Sequence, residues 1–167
     1  MTQKIAHIIA TFFGIGHLRP APGTWGSAAA IPFIWLIHGL LGPWGLLIMT
    51  VFVFFIGWWA TQVDTAGKDN HDPSEIVIDE VAGMCIALLP LSFGMAFASD
   101  NPWAFPYPGW VAGFLAFRLF DITKPWLVGW ADRRNDAFGV MFDDVIAGLF
   151  AAISVSVLAY VAHVVLV

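Results

Sequence analysis

Long uncharged stretches alternate with short polar segments along this chain. Charged side chains are absent from Pro20–Val63, Val81–Ser99, Asn101–Phe117 and Val145–Val167. A helix that crosses a bilayer needs about 20 apolar residues, so the first stretch has room for two helices and each of the others for one. The Gly42-Pro43 pair favours a turn and divides the first stretch. The pattern predicts five membrane-associated helices, at Ser27–Leu41, Trp44–Val63, Val81–Ser99, Pro108–Phe120 and Val145–Leu166.

The composition also indicates a membrane protein. Of the 167 residues, 59% are hydrophobic and 11% are charged, and the mean hydropathy is +0.80. This polar surface is too small to cover a water-soluble domain of the same size. The net charge of −5 leaves no basic surface for DNA or RNA, and a single cysteine excludes an internal disulfide. We therefore expect one all-α, polytopic membrane domain over residues 1–167, with no nucleic acid partner and no protein partner implied.

Most charged residues lie in two segments, Asp64–Glu80 and Arg118–Asp144. With five crossings, both segments and the N-terminus lie on one side of the membrane, and every lysine and arginine falls on that side. Because basic residues are enriched in cytoplasmic loops, these two polar loops are predicted to face the cytoplasm. The N-terminal run Ile5–Ile15 contains His7, and a small-residue cleavage signal appears only around Ala28–Ala30, beyond a polar, glycine-rich segment. This favours an interfacial helix over a signal peptide.

Two pairs of adjacent acids stand in similar surroundings. The two segments are Ile78-Asp79-Glu80-Val81-Ala82-Gly83 and Phe142-Asp143-Asp144-Val145-Ile146-Ala147-Gly148. Helix capping explains one acid of each pair, but neighbouring helical positions diverge by about 100°, so the second acid needs another partner. Four carboxylates at one depth repel each other unless a cation lies among them. Oxygen ligands suit Mg²⁺, and no cluster of cysteine or histidine in the sequence competes for zinc. We therefore expect Asp79, Glu80, Asp143 and Asp144 to bind Mg²⁺, directly or through water.

Basic residues close to these acids indicate a phosphate site. Arg118, Asp121 and Lys124 fall within one broad helical face, and their mixed charge suits a metal and a phosphate together. We expect Arg118 and Lys124 to bind the phosphate and Asp121 to be a further metal ligand. Two alternatives stay open. Asp121 forms an i,i+3 ion pair with Arg118, or the basic segment contacts anionic lipid headgroups.

A third polar segment, Gly14–Ser27, precedes the first predicted helix. Its glycines are suited to pointing backbone N–H groups at an anion, and two hydroxyls lie beside them. We expect Thr24, Ser27 and Arg19 to help bind the phosphate. The alternative is a turn rich in proline and glycine, with Ser27 as the helix N-cap.

Taken together, these motifs resemble those of bacterial phosphatidylglycerophosphatase A. The resemblance covers nearly the whole chain and rests on Pro22–Ser27, Asp72–Gly83, Phe117–Pro125 and Asp143–Gly148, in the same order and at compatible spacing. It implies a Mg²⁺-dependent phosphatase of the bacterial inner membrane, which removes the terminal phosphate of phosphatidylglycerophosphate to give phosphatidylglycerol. Two positions depart from the family pattern: Leu127 stands where a second proline is usual, and Asp136-Ala137-Phe138 replaces a more glycine-rich segment.

We also expect catalytic roles for some of these residues. Asp79 and Asp143 act with the metal, and Asp121 orients the attacking water, while a phospho-enzyme formed on Asp121 or Thr24 stays an alternative. Two other classes of protein compete with this interpretation. A CDP-alcohol phosphotransferase needs a DGxxAR…GxxxDxxxD pattern. This pattern is absent, because Ala147-Gly148 follows Asp144 without the required arginine and later acids. An ion channel or transporter carries its acids near mid-membrane, whereas these acids lie at helix ends.

Overall fold

The computed structural model describes residues 1–68 and 70–165, with only the backbone at Val165. The described part is helical and contains no strand, which confirms the all-α prediction. Asp69 of the predicted polar segment, Leu166 of the last predicted helix and Val167 lie outside the described residues. The helices are α1 (Thr2–Ala10), α2 (Pro22–Asp64), α3 (Ile78–Ala98), α4 (Tyr107–Thr123), α5 (Leu127–Asp132) and α6 (Ala137–Tyr160), with a 3₁₀ turn at Ile15–His17 and a π-helical turn at Val161–Val165.

Helix α2 is a hairpin of two helical halves, 22–41 and 43–64. The chain turns at Gly42, whose backbone (φ 66°, ψ −172°) is outside the helical region. This left-handed φ suits glycine, which has no Cβ to clash with the backbone, and Pro43 then begins the second half because proline is tolerated in the first turn of a helix. The Gly42-Pro43 turn predicted from the sequence is therefore present.

Helix α3 lies at the centre of the bundle and packs against α2, α4 and α6. Contacts along α3 show the direction of its neighbours. The first half of α2 contacts Val77 just before α3 and ends beside Ser92, where Ser92 Oγ and His38 Nδ1 are 2.8 Å apart. The second half returns to the start of α3, where Gly57 packs on Ile78. The polar segments before α2, before α3 and around α5 therefore meet at one end of the bundle.

Among the described residues, three helices are long and apolar enough to cross a membrane: Pro22–Asp64, Ile78–Ala98 and Ala137–Val164. Large apolar side chains are exposed on their outer faces, as expected for a surface that contacts lipid. On the second half of α2 these residues are Trp44, Ile48, Val51, Phe52 and Phe55. The chain is thus suited to membrane association, while the number of crossings and the side that faces the cytoplasm stay predictions.

Several helix boundaries differ from those predicted. Helix α6 begins at Ala137 and not at Val145, because Asp136 caps it by accepting a hydrogen bond of 2.7 Å from the Gly139 backbone N–H. Helix α4 continues to Thr123 and not to Phe120. The uncharged stretches do not mark the ends of these two helices, because α4 carries Arg118 and Asp121 and α6 carries Asp143 and Asp144 inside the helix. Arg118 to Asp144 is therefore not one loop, since both of its ends are helical.

The N-terminal helix α1 is shorter than the predicted interfacial helix. It ends at Ala10, and left-handed backbone conformations at Phe12, Phe13 and Gly14 then stop the helix. The buried face of α1 consists of small residues, which include Ala10. His7 Nδ1 lies 3.1 Å from the buried carboxylate of Asp64, which ties α1 to the end of α2.

Candidate active site

Three carboxylates meet where α3 and α6 cross, and we refer to Asp79, Glu80 and Asp144 as the carboxylate cluster. Each offers an oxygen, and these oxygens lie within 4.8 Å of one another. Asp79 and Asp144 are buried. Asp79 Oδ1 and Glu80 Oε2 are buried and have no hydrogen-bond partner among the described residues. Burying a carboxylate oxygen without a partner costs free energy. A bound cation or hydrogen-bond donor at the cluster would remove this cost.

The helix positions of the acids differ between the two pairs. Asp79 and Glu80 lie in the first turn of α3, where a negative charge is favoured by the helix dipole. Asp143 and Asp144 lie well inside α6, whose N-cap is Asp136. Capping therefore does not account for the second pair of acids, and their buried positions need another explanation.

Arg118 connects the carboxylate cluster to α2 and α4. Its Nη1 donates a short hydrogen bond to Asp121 and lies 3.9 Å from Glu80 Oε1. The same nitrogen is 3.4 Å from the hydroxyl of Ser27. The Nε atom of Arg118 is buried and has no partner in the described part of the chain. The i,i+3 pair with Asp121, which was one of the two interpretations of the sequence, is present and still leaves one Arg118 donor available.

Lys124 forms a second cationic contact with the acids. It ends α4 with a left-handed backbone (φ 43°, ψ 54°), and its ammonium group donates to Asp132 and, at 3.0 Å, to Asp143 Oδ2. Burial alone would lower the pKa of Lys124, but its bonds to Asp132 and Asp143 raise it above the ordinary lysine value. Lys124 is therefore a permanent cation, and Asp143 pairs with it instead of joining the carboxylate cluster.

The residues predicted around the start of α2 have different surroundings. Ser27 is inside α2 and not its N-cap, because the helix begins at Pro22, and its hydroxyl donates to the Gly23 carbonyl at 2.7 Å. Thr24 is half-buried and makes no side-chain hydrogen bond within the described residues. Arg19 is exposed and donates to Ser74 at 3.2 Å, so the structure does not bring it to the carboxylate cluster.

Two contacts at this end of the bundle were not predicted. A Cβ atom on Gly23 would lie 2.1 Å from Glu80 Oε1 and 3.2 Å from Arg118 Nη1, so the bare backbone of Gly23 forms one wall of the site. His7 and His17 come together with their Nε2 atoms 3.2 Å apart, although the sequence showed no histidine cluster. The first contact had a signal in the sequence, since Gly23 precedes two hydroxyl residues, whereas the second depends on the tertiary fold.

These features define an all-helical protein with helices of membrane length and a buried acidic and basic site at one end. Residues 8–159 match the sequence profile of phosphatidylglycerophosphatase A. The chain belongs to this family.

Similar proteins of known name support this assignment. The chain is 37% identical over 158 residues to phosphatidylglycerophosphatase A of Haemophilus influenzae, with 92% of this chain and 88% of that protein covered. It is 38% identical over 160 residues to phosphatidylglycerophosphatase A of Escherichia coli, with 94% and 83% covered. A Bacteroides thetaiotaomicron protein provisionally named as a phosphatidylinositol-3-phosphatase is 34% identical over 160 residues, with 92% and 93% covered. No solved structure gives a significant match.

Proposed function

We propose that this chain hydrolyses the terminal phosphate monoester of phosphatidylglycerophosphate and releases phosphatidylglycerol and inorganic phosphate. Family membership supplies the reaction. The structural observation that carries the proposal is the buried carboxylate cluster, 3.9 Å from the Arg118 guanidinium group. Within the described part of the chain, two oxygens of the cluster and one donor of that group have no partner. Anionic oxygens and cations at one place suit a metal-assisted reaction of a phosphate.

We propose Mg²⁺ as the cofactor, held by Asp79, Glu80 and Asp144, with Asp143 beside them. The residues fit this ion because all the donors are carboxylate oxygens, two of which lack any other partner in the described residues. When bound, Mg²⁺ supplies positive charge that stabilises the phosphoryl group as the reaction proceeds. Asp79 and Asp143 were also predicted to be catalytic, and we keep both assignments as proposals.

The side chains of the protein bind and orient the reactants. Arg118 and Lys124 neutralise the phosphate oxygens, and their carboxylate partners hold both cations in place. A water oxygen attacks phosphorus, the bond from phosphorus to the glycerol oxygen breaks, and that oxygen takes up a proton. Asp121, next to Arg118, orients the attacking water. Such placement of charge and nucleophile accounts for most catalysis of phosphoryl transfer.

The polar segment before α2 completes the phosphate site in this proposal. Ser27 acts through Arg118, whose Nη1 lies near the Ser27 hydroxyl. Thr24 has a hydroxyl without another partner among the described residues, so it is suited to a phosphate oxygen. Arg19, which is exposed and bonded to Ser74, requires a movement of its side chain to reach a phosphate.

We further propose that the chain is one domain in the bacterial inner membrane, with five membrane-associated helices and with its active site facing the cytoplasm. All lysines and arginines belong to segments at the active-site end of the bundle. An excess of basic residues is typical of the cytoplasmic side. Phosphatidylglycerophosphate enters from the surrounding lipid, and only its headgroup needs to reach the polar end.

The substrate is tested with the purified full chain in detergent micelles. Phosphate release is measured with phosphatidylglycerophosphate and, separately, with phosphatidylinositol 3-phosphate, each in the presence of Mg²⁺. We expect rapid release from phosphatidylglycerophosphate and little from the inositol lipid. No release from phosphatidylglycerophosphate by a folded sample contradicts the proposal, and faster release from the inositol lipid assigns the site to a different lipid phosphate.

A further inference from the structure

Two cavities lie side by side next to the active site. The first, of about 660 Å³, lies between the end of α2 and the start of α6. The second, of about 390 Å³, is lined by Asp143, the partner of Lys124. His71, Arg134 and Asn135 line both cavities, so the two adjoin at these residues. The second cavity therefore lies between the first cavity and Asp143, the partner of Lys124.

The lining of the first cavity is basic, in contrast to the acidic active site. Lys68, His71 and Arg134 line it, and among the described lining residues Asp136 is the one acid. The Lys68 ammonium group also donates to Asp64 Oδ2 at 3.2 Å, which leaves two of its three donors. Asp136 pairs with Arg134, accepting from Nε at 3.4 Å and from Nη2 at 2.9 Å. Arg134 Nη1 makes no hydrogen bond within the described residues, so a donor is left for an anion. Arginine has five such donors, which makes this double use possible.

Aromatic side chains form one wall of the first cavity and a cluster next to it. Trp58 and Phe138 line it, with their ring centroids 5.5 Å apart. Phe138 in turn stacks on Phe142 at 5.1 Å and contacts Phe54 at 6.0 Å. The Arg134 guanidinium lies over the Phe138 ring at 5.2 Å. A cationic group thus lies at the polar end of an apolar surface between α2 and α6, which is an arrangement suited to a lipid.

We infer that the first cavity binds the phosphodiester group of the lipid substrate, with Arg134 and Lys68 as its ligands and His71 beside them. This inference rests on the proposed function. Phosphatidylglycerophosphate carries two phosphates joined by one glycerol, and the monoester occupies the site of Arg118 and Lys124. The diester then needs a second cationic site close to the first, and we assign it to the adjoining basic cavity. The acyl chains follow the aromatic surface into the bilayer.

The substrate, the product and inorganic phosphate would occupy the two sites differently. Inorganic phosphate occupies only the monoester site, whereas the product phosphatidylglycerol has only the diester. Substitutions in the first cavity should therefore weaken binding of the substrate and of the product but leave phosphate binding unchanged. A general attraction between a basic surface and anionic micelles would instead affect all neighbouring cations alike.

A pair of adjacent arginines provides a matched test. Arg134→Gln removes a cavity ligand, and Arg133→Gln removes the same charge from an exposed residue that lines neither cavity. Steady-state kinetics with phosphatidylglycerophosphate in mixed micelles give KM and kcat, and inhibition by phosphatidylglycerol and by inorganic phosphate gives two inhibition constants. For Arg134→Gln we expect KM and the phosphatidylglycerol constant to rise about tenfold, the size of one lost charge-assisted hydrogen bond, with kcat and the phosphate constant unchanged.

Two more substitutions, at Lys68 and at Arg134, test the same cavity. Lys68→Gln should give the same pattern without touching the Arg134–Asp136 pair. It also removes the ion pair of Lys68 with Asp64, so its unfolding temperature is measured alongside. Arg134→Lys should restore part of the affinity. Equal effects of Arg133→Gln and Arg134→Gln, or a rise in the phosphate constant, overturn the inference. If the wild-type chain releases no phosphate, the proposed function fails, and direct binding of phosphatidylglycerol to the wild type and Arg134→Gln still tests the cavity. Equal binding by both chains then overturns the inference as well.

Discussion

Gly148 of α6 packs directly on Gly83 of α3. A Cβ atom on Gly148 would lie 2.5 Å from the Gly83 carbonyl oxygen, and a Cβ on Gly83 would lie 2.7 Å from the Asp144 carbonyl oxygen. The two helices are thus in backbone contact one turn below the carboxylate cluster. Glycine at a helix crossing permits this approach, and the approach brings Asp144 within reach of Asp79.

Gly148→Ala should separate the two helices and disturb the carboxylate cluster. The new methyl group meets backbone that cannot move aside easily, so we expect a loss of about 1–3 kcal/mol of stability and a large fall in activity. Gly94→Ala is the matched control, because a Cβ at Gly94 in α3 meets nothing within 4 Å and alanine favours a helix. Thermal unfolding and phosphate release measure both effects. Similar behaviour of the two variants would show that the crossing does not position the acids.

Gly23→Ala should affect activity more than stability. A Cβ at Gly23 would lie 2.1 Å from Glu80 Oε1, and the end of a glutamate side chain can move away at modest cost. The movement takes Glu80 out of the carboxylate cluster, so kcat should fall about tenfold or more, since misplaced catalytic groups are that costly. Comparison of kcat with the unfolding temperature checks this. Unchanged kcat would mean that Glu80 has no part in the reaction.

Arg118→Gln should reduce activity by about 10²-fold, the usual effect of removing one donor that stabilises developing charge. The same change removes the partner of Asp121, so stability should fall as well. Asp121→Asn separates the two roles, because it leaves the guanidinium group in place. We expect a smaller loss of kcat/KM for Asp121→Asn than for Arg118→Gln. The opposite order would make Asp121 the more important group.

Asp136 should stabilise α6 in a pH-dependent way. The Arg134 guanidinium holds the pKa of Asp136 below its usual value, and the Gly139 N–H bond helps. A carboxyl with a lowered pKa in the folded state contributes stability above its unfolded pKa, and this contribution disappears as the pH falls through the folded value. Asp136→Ala should cost about 1 kcal/mol near neutral pH through loss of the cap.

Asp136→Asn keeps the cap without the charge and is the control. Its unfolding temperature should lie below that of the wild type near neutral pH and approach it as the pH falls through the lowered pKa of Asp136. A difference that does not change with pH would show that the charge of Asp136 contributes nothing.

The fold was predictable where the uncharged stretches and turn residues were clear. Gly42 and Pro43 marked the turn inside α2, and the helices lie close to the predicted positions. The start of α6 was not predictable in the same way, because Asp143 and Asp144 are charged and yet lie inside the helix. Their burial depends on Lys124 and on the neighbouring helices, which local sequence patterns do not show.

The site was predictable as a set of residue types but not as a set of contacts. The repeated acid pairs identified Asp79, Glu80 and Asp144, whose oxygens come together in the structure. The sequence did not distinguish Asp143, which pairs with Lys124, because adjacent acids look equivalent until the helix rotation is known. Arg134 was one of several basic residues, and its place between two cavities depends on how α2 and α6 pack.

We propose that the carboxylate cluster holds a Mg²⁺ ion that the hydrolysis requires. The most direct measurement is phosphate release from phosphatidylglycerophosphate by the purified chain, with Mg²⁺ and with a chelator, for the wild type, Asp144→Asn and Asp100→Asn. Asp100 is an exposed acid at the opposite end of the bundle. We predict that release by the wild type and by Asp100→Asn requires Mg²⁺, and that Asp144→Asn is nearly inactive at any Mg²⁺ concentration. Full activity in the chelator, or an active Asp144→Asn variant, would contradict this assignment of the cluster.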